Sequence, residues 1–204
     1  MIRVLLADDH QIVRDGLRSL LARAGDIEVA AEAADGDQAL ALVRAGAYDV
    51  AVLDMSMPGI SGLDLIKRLA VERPKLRMLV LSMHGEKQYA ARALKAGAAG
   101  YLNKDSAAEQ LVGAIRKISA GGVHIGDAAA ASLVNADATG QGALTDREFE
   151  VLRLLVAGKS PTDVGEQLHL SVKTVSTHKT RILEKLGLKT TAELVRYALE
   201  NKLL

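Results

Sequence analysis

Asp8 and Asp9 close one apolar run of the sequence, Asp54 closes another, Ser82 a third and Lys104 a fourth. Carboxylates, a hydroxyl and an ammonium brought to one place are suitable parts for phosphoryl transfer to an aspartate. Three converging carboxylates repel one another, so something cationic must hold them. The chain has no cysteine, and the donor set reads as oxygen alone. That favours a hard ion: Mg²⁺, with Mn²⁺ as its substitute, takes one or two carboxylates, waters and a phosphate oxygen. Each residue alone has a plainer reading. A strand-end Asp is more often a turn or cap residue, "LADDH" can simply cap a helix beginning near Gln11, and a lone Lys is usually solvated. The joint pattern carries the chemistry.

The elements that must position these groups are legible as apolar runs at Ile2–Ala7, Ile27–Ala33, Val50–Leu53, Met78–Leu81 and Gly100–Leu102. The run at Val50–Leu53 is unbroken, as in a strand buried on both faces. Between the runs lie helical stripes: Val13, Leu17, Leu20 and Leu21; Leu63, Leu65, Ile66 and Leu69; Ala91, Leu94 and Ala98; Leu111, Ile115 and Ile118. Five strands alternating with helices imply a five-stranded parallel, doubly wound α/β (flavodoxin-like) domain over residues 1–120. Ligands gather at the carboxyl ends of the strands in such sheets, which is where the reactive residues fall.

Residues 121–142, "GGVHIGDAAAASLVNADATGQG", are rich in glycine and alanine. A short helix around Ala128–Val134 is expected there, and "NADATGQG" reads as flexible linker. Residues 143–204 are purely helical in pattern. Thr145 with Glu148 and Thr190 with Glu193 form capping boxes. Ser160 caps a helix with Pro161 at its first position, and Ser171 caps another. Four helix starts define a compact all-α four-helix domain. Only "HL" separates the second helix from Ser171, the spacing of a helix-turn-helix. Its second helix presents Val175, Ile182 and Leu186 to the core, with His178 packed near that stripe. Lys173, Ser176, Thr177, Thr180 and Glu184 share the opposite face, with Lys179 and Arg181 at its flanks.

Composition is that of an ordinary globular protein, 49% apolar and 25% charged over 204 residues. Absence of cysteine excludes disulfides, zinc–thiolate sites and thiol catalysis. With no bilayer-length apolar stretch and no signal-peptide pattern at "MIRVLLADDH", a cytoplasmic protein without membrane partners is expected. Net charge is +1. Ser171 to Leu186, however, holds Lys173, Lys179, Arg181 and Lys185 against Glu184 alone, a modest nucleic-acid signal on one helix.

"LLADDH", "VLDMSMPG", "VLSMH" and "GYLNKD" occur in order, and residues 1–120 resemble the receiver domain of two-component response regulators. "LTDREFEVLRLLVAGKS", "LHLSVKTVSTHKTRILEKLGL" and "TAELVRYAL" give residues 143–204 a resemblance to the LuxR-type DNA-binding domain. The whole chain is similar to the NarL/FixJ class. The resemblance implies that Asp54 accepts a phosphoryl group from a histidine kinase. Asp9 and Asp54 would bind the ion directly, Asp8 through water, and the Ser56 backbone carbonyl would complete the set. Lys104 would contact phosphoryl oxygens, Ser82 would swing toward the new phosphate, and Tyr101 would turn inward behind it. The face carrying Lys173, Ser176, Thr177 and Thr180 would enter the major groove, while Lys179 and Arg181 meet phosphates and Thr174 adds a contact at the helix start. A homodimer in the phosphorylated state follows. The last helix, with Leu194, Val195 and Ala198, is the dimer surface by resemblance, although core is the alternative.

Three departures stand out. Family members often carry a base where Ser176 sits, an asparagine where Pro161 sits, and alanine where Gly165 sits, the glycine costing about 1 kcal/mol of helix propensity. A phosphatase with an aspartyl nucleophile is a competing reading, but it wants a general-acid carboxylate two residues on, where this chain has Ser56. A small-molecule sensor wants an aromatic-lined pocket, and only 2% of residues are aromatic. A phosphorylation-independent receiver is a further alternative, against which the full set of reactive residues speaks.

Overall fold

The computed structural model describes residues 1–60, 62–82, 87–125 and 144–201. The chain divides into two compact units, Met1–Ala131 and Ser132–Leu204.

The first unit alternates β1 (Ile2–Ala7), α1 (Gln11–Ala22), β2 (Ile27–Ala33), α2 (Gly36–Ala45), β3 (Val50–Asp54), α3 (Gly62–Glu72), β4 (Arg77–Ser82), α4 (Lys87–Ala96), β5 (Gly100–Asn103), a 3₁₀ turn (Lys104–Ser106), α5 (Ala107–Ser119) and β6 (His124–Ile125). All pairings are parallel, in the order β2-β1-β3-β4-β5-β6. Every residue of β3 is buried, as its unbroken apolar run requires of a central parallel strand. On one face Val4, Leu6, Val52 and Leu81 pack with Leu17 and Leu21 of α1 and Leu111, Ile115 and Ile118 of α5. The alternate strand residues Leu5, Ala51, Leu53 and Val80 are equally buried, on the other face by the two-residue period of a strand.

The five expected strands are present, and β3, β4 and β5 run on by a residue into Asp54, Ser82 and Asn103. A sixth strand was not expected. It lies inside the segment read as linker, where His124 and Ile125 pair with Gly100 and Tyr101. An unpaired edge is a liability, and here a tight return after α5 covers it. Arg77 secures the return by donating from Nη2 to the carbonyls of Gly121 and Gly122 at 3.3 and 3.0 Å. The helix expected around Ala128–Val134 falls outside the described residues.

The second unit holds α6 (Asp146–Val156), α7 (Pro161–Leu168), α8 (Val172–Leu186) and α9 (Thr191–Glu200). Phe149, Val151, Leu152, Val164, Val175, Ile182, Leu194 and Ala198 form its buried interior. Thr145 and Glu148 make the reciprocal capping box, and Ser160, Ser171 and Thr190 cap α7, α8 and α9. The second expected box is half-formed, because the Glu193 carboxylate accepts from the amide of Lys189 instead of Thr190. Leu194 and Ala198 are fully buried, so these two belong to the core and not to a dimer surface. Their i, i+4 spacing faces the bundle. Gly165 also gains a reason: a Cβ there would lie 2.7 Å from the Leu170 carbonyl oxygen. The α7–α8 turn closes over it, with His169 left-handed at φ 52° and the Leu170 amide donating to the Gly165 carbonyl at 2.8 Å.

Candidate functional site

The order of strands reverses about β1, which has β2 on one side and β3 on the other, so the crevice at its carboxyl end is the switch point of the fold. Asp8 follows β1 there and is 0% exposed; Asp54 ends β3 and is 1% exposed. Lys104 opens the 3₁₀ turn after β5. Its ammonium lies 2.6 Å from Asp8 Oδ2 and 2.8 Å from Asp54 Oδ2. Ser82 ends β4, also buried. The sheet therefore brings together Asp8, Asp54, Ser82 and Lys104 at one edge, and Asp9 stands exposed at the mouth.

Backbone contacts aim these groups. The Ser56 amide donates to Asp54 Oδ1 at 3.2 Å, holding the turn after β3 against the carboxylate. Gly59, at φ 90°, lets that turn pass α2, where a Cβ would stand 2.6 Å from Asp37 Oδ2. The Pro58 carbonyl accepts from the Gly36 amide at 3.1 Å, tying the rim to the start of α2. Asn103 orders the turn that carries Lys104, its side chain accepting from the Asp105 amide at 2.9 Å.

Electrostatically, the site stores unbalanced charge. Burial pushes the Asp54 carboxyl above its ordinary pKa, and the nearby Asp8 adds to this, against the downward pull of the Lys104 ammonium. Burial alone would push Lys104 down, but its hydrogen bonds and charge contacts with Asp54 and Asp8 hold it above its ordinary value. Asp8 Oδ2 and Asp54 Oδ2 are buried and share the one Lys104 ammonium between them. Two such oxygens, with Asp9 at the mouth, fit a hard divalent cation. The group Asp8, Asp9, His10 and Asp54 is able to coordinate one, since a ligand atom from each lies within 4.8 Å of all the others.

His10, adjacent to the acids in "LADDH", is a residue that sequence reasoning missed: its Nδ1 lies 2.8 Å from Asp9 Oδ1. The acids do not cap α1 through a side chain. Its N-cap is His10 without a side-chain cap bond, and Asp8 Oδ1 instead accepts from the His10 amide at 2.8 Å. Arg14 is a second residue that sequence reasoning missed. It is buried on α1 and donates from Nη1 to the Asp8 carbonyl at 2.5 Å, supporting the strand end from beneath. No apolar periodicity reveals a buried arginine.

Tyr101 is buried, 3% exposed, on β5 between Val80 and Ile125 in register.

In the second unit, Lys173, Ser176, Thr177, Thr180, Arg181 and Glu184 of α8 are exposed, while Thr174 and Lys179 are half-buried. The hydroxyls of Ser176, Thr177 and Thr180 donate to the carbonyls of Val172, Lys173 and Ser176 at 2.9, 2.9 and 3.1 Å. His178 sits against the core as expected. Its pKa is lowered, chiefly by burial. Lys185 anchors α8 to α6, its ammonium 2.7 Å from the buried Glu148 carboxylate.

A doubly wound sheet with buried acids and a lysine at its switch point, followed by a helix-turn-helix unit, defines a receiver joined to a DNA-binding module. The response regulator receiver domain family matches residues 4–116, and the bacterial regulatory proteins of the luxR family match residues 142–198. The chain belongs to the two-component response regulators of the NarL/FixJ class, which are DNA-binding transcriptional regulators under phosphorylation control. The oxygen regulatory protein NreC of Staphylococcus carnosus is 39% identical over all of this chain and 99% of its own length. The response regulator UvrY of Escherichia coli O157:H7 is 37% identical over all of this chain and 96% of its own. RcsB from Salmonella enterica serovar Typhimurium, solved bound to promoter rprA in the presence of phosphomimetic BeF3-, shares 28% identity. The match has a TM-score of 0.72 and covers 96% of this chain and 97% of that one. Receiver architecture of this kind handles its own phosphorylation and dephosphorylation, not the turnover of an external substrate. Among the described residues no helix is long and apolar enough to cross a membrane.

Proposed function

We propose that Asp54 is the phosphoryl acceptor and that a histidine kinase is the donor. One Asp54 carboxylate oxygen attacks phosphorus, the O–P bond forms, and the P–N bond to the kinase imidazole breaks. The observation that carries this reading is the Lys104 ammonium held between Asp8 and Asp54 at the buried strand ends. It is poised to follow the charge onto phosphoryl oxygens. A divalent ion, Mg²⁺ or Mn²⁺, would be held by Asp9 and Asp54, by Asp8 through water and by the Ser56 carbonyl. When bound, it neutralises charge on the transferring group.

Phosphorylation adds roughly −2 charge and new acceptor oxygens, which the Ser82 hydroxyl reaches by moving. That movement would vacate space for the ring of Tyr101, which is buried in this structure, and would give one face of the receiver two discrete states. Residues 1–120 form the receiver, with the edge strand continuing to Ile125; a joining segment runs to 142, and 143–204 bind DNA. The exposed residues of α8 enter the major groove as Lys173, Ser176, Thr177 and Thr180, with Thr174, Lys179 and Arg181 toward phosphates. RcsB has been solved as two dimers bound to two parallel DNAs, and a phosphorylated homodimer on paired half-sites is the corresponding state here.

The test is labelling by a small phosphodonor with Mg²⁺. Wild type acquires acid-labile phosphate and Asp54→Asn acquires none. Equal labelling of the variant refutes the assignment.

A further inference from the structure

The turn Asp8–His10 leads from β1 into α1 and carries both acids of the strand end, yet α1 begins without a side-chain cap. The Asp8 amide is tied to the Ala33 carbonyl of β2 at 3.1 Å, and Asp8 Oδ1 accepts from the His10 amide at 2.8 Å. The Asp8 carbonyl is held by a side chain instead, Nη1 of Arg14. That side chain is only 10% exposed, and a buried guanidinium is costly unless its donors are taken up. Here Nη2 donates to Gln11 Oε1, and Nε stands 3.4 Å from Glu32 Oε2 on β2. The other Glu32 oxygen pairs with Arg18 at 2.7 Å, and Arg18 with Asp15 at 2.6 Å. Arg14 thus ties the acid-bearing turn to α1 and β2 at once, a buried cation that phosphoryl transfer itself does not use.

We propose that Arg14, steadied by Glu32, is a positioning residue for the ion half of the phosphorylation site, fixing the turn from which Asp8 and Asp9 reach the divalent ion. The inference rests on the proposed ion-binding role of those two acids and adds what holds them. The carbonyl that Arg14 grips belongs to the planar peptide joining Asp8 to Asp9, so rotation of that one unit moves both carboxylates. Asp54 and Lys104 reach the site from β3 and from the 3₁₀ turn after β5, outside this grip. Mg²⁺ demands near-octahedral geometry at about 2.0 to 2.1 Å, so a loosened turn lowers ion affinity. Charge alone has the opposite sign. A guanidinium repels a cation, and were Arg14 only a charge, its removal would tighten Mg²⁺ binding.

The experiment uses the full chain. Calorimetric titration reads Mg²⁺ affinity in wild type, Arg14→Met, Glu32→Gln and Asp8→Asn. Labelling by a small phosphodonor across a range of Mg²⁺ reads the acceptor, and amide hydrogen exchange in EDTA reads the turn without metal. Expected in Arg14→Met is a loss of Mg²⁺ affinity on the order of tenfold. Its labelling deficit at low Mg²⁺ closes as Mg²⁺ is raised, the pattern of lost binding rather than lost chemistry. In EDTA the His10 amide, bonded to Asp8 Oδ1, exchanges faster, while the Ser56 amide on Asp54 Oδ1 keeps the wild-type rate. Glu32→Gln shows the same effects to a smaller degree, and decides the matter alone if Arg14→Met does not fold. Unchanged Mg²⁺ binding or an unchanged His10 amide in either variant, or tighter Mg²⁺ binding in Arg14→Met, overturns the inference and leaves the carboxylate reading intact. A labelling deficit that saturating Mg²⁺ leaves in place overturns it too, because the disturbance then reaches Asp54 or Lys104. Mg²⁺ binding that Asp8→Asn leaves unchanged refutes the ion site itself, and the inference falls with it.

Discussion

Lys104→Ala takes away an ammonium that stands 2.6 Å from Asp8 and 2.8 Å from Asp54, two carboxylates with 0% and 1% exposure. Removing one partner of a buried ion pair costs about 3 to 5 kcal/mol, because the other charge is left buried and unpaired. Here one ammonium serves two carboxylates, which raises the cost. Burial has already lifted the Asp54 pKa, however, so the pair can relieve itself by taking up one proton. The lower end, about 3 kcal/mol, is therefore expected. For a unit of this size that corresponds to a fall of roughly 10 to 15 °C in melting temperature. Calorimetry of the full chain in EDTA measures it. Adding Mg²⁺ replaces the lost cation and narrows the gap between variant and wild type, because an ion bound only by the folded state stabilises that state. A Lys104→Ala receiver that melts within about 2 °C of wild type in EDTA refutes the argument, since a change that small belongs to a surface substitution.

Ser82→Ala accepts phosphate from a small donor yet dimerises weakly in response; an unchanged dimerisation response removes Ser82 from the switch. Gly165→Ala gains about 1 kcal/mol of helix propensity but sets a methyl 2.7 Å from the Leu170 carbonyl, an overpacking that costs about 1 to 3 kcal/mol. Net destabilisation in urea unfolding is expected, with weaker DNA binding as α8 shifts; a more stable variant contradicts the contact. Glu148 is buried, which raises its pKa, but Lys185 and Thr145 together hold it below its ordinary value of 4.5. Its contribution to stability is therefore present above pH 4.5 and lost as pH falls through the lower folded value. Thermal unfolding of the helix-turn-helix unit across that acid range shows this loss, and Lys185→Met shows a smaller one.

Strand content and the positions of Asp8, Asp54, Ser82 and Lys104 were legible because a buried parallel strand is an unbroken apolar run and the residue closing it is conspicuous. The helix caps were legible for a similar reason, each being a local pattern that spans four residues. What escaped depends on contacts between distant segments. The strand His124–Ile125 has no apolar run of its own, and only the open edge of β5 makes it a strand. Arg14 is buried by the Asp8 carbonyl it serves, against the usual preference of arginine for solvent. The close approach at Gly165 comes from a turn five residues away, so sequence alone shows only its cost to the helix.

The central claim is that the charge state of Asp54 governs assembly and DNA binding through the receiver. Its most direct test is solution mass together with DNA affinity, measured with and without a phosphodonor and Mg²⁺, for wild type beside Asp54→Asn. Phosphodonor raises both the mass and the affinity of wild type and changes neither in the variant. A variant that gains mass and affinity as wild type does contradicts the account.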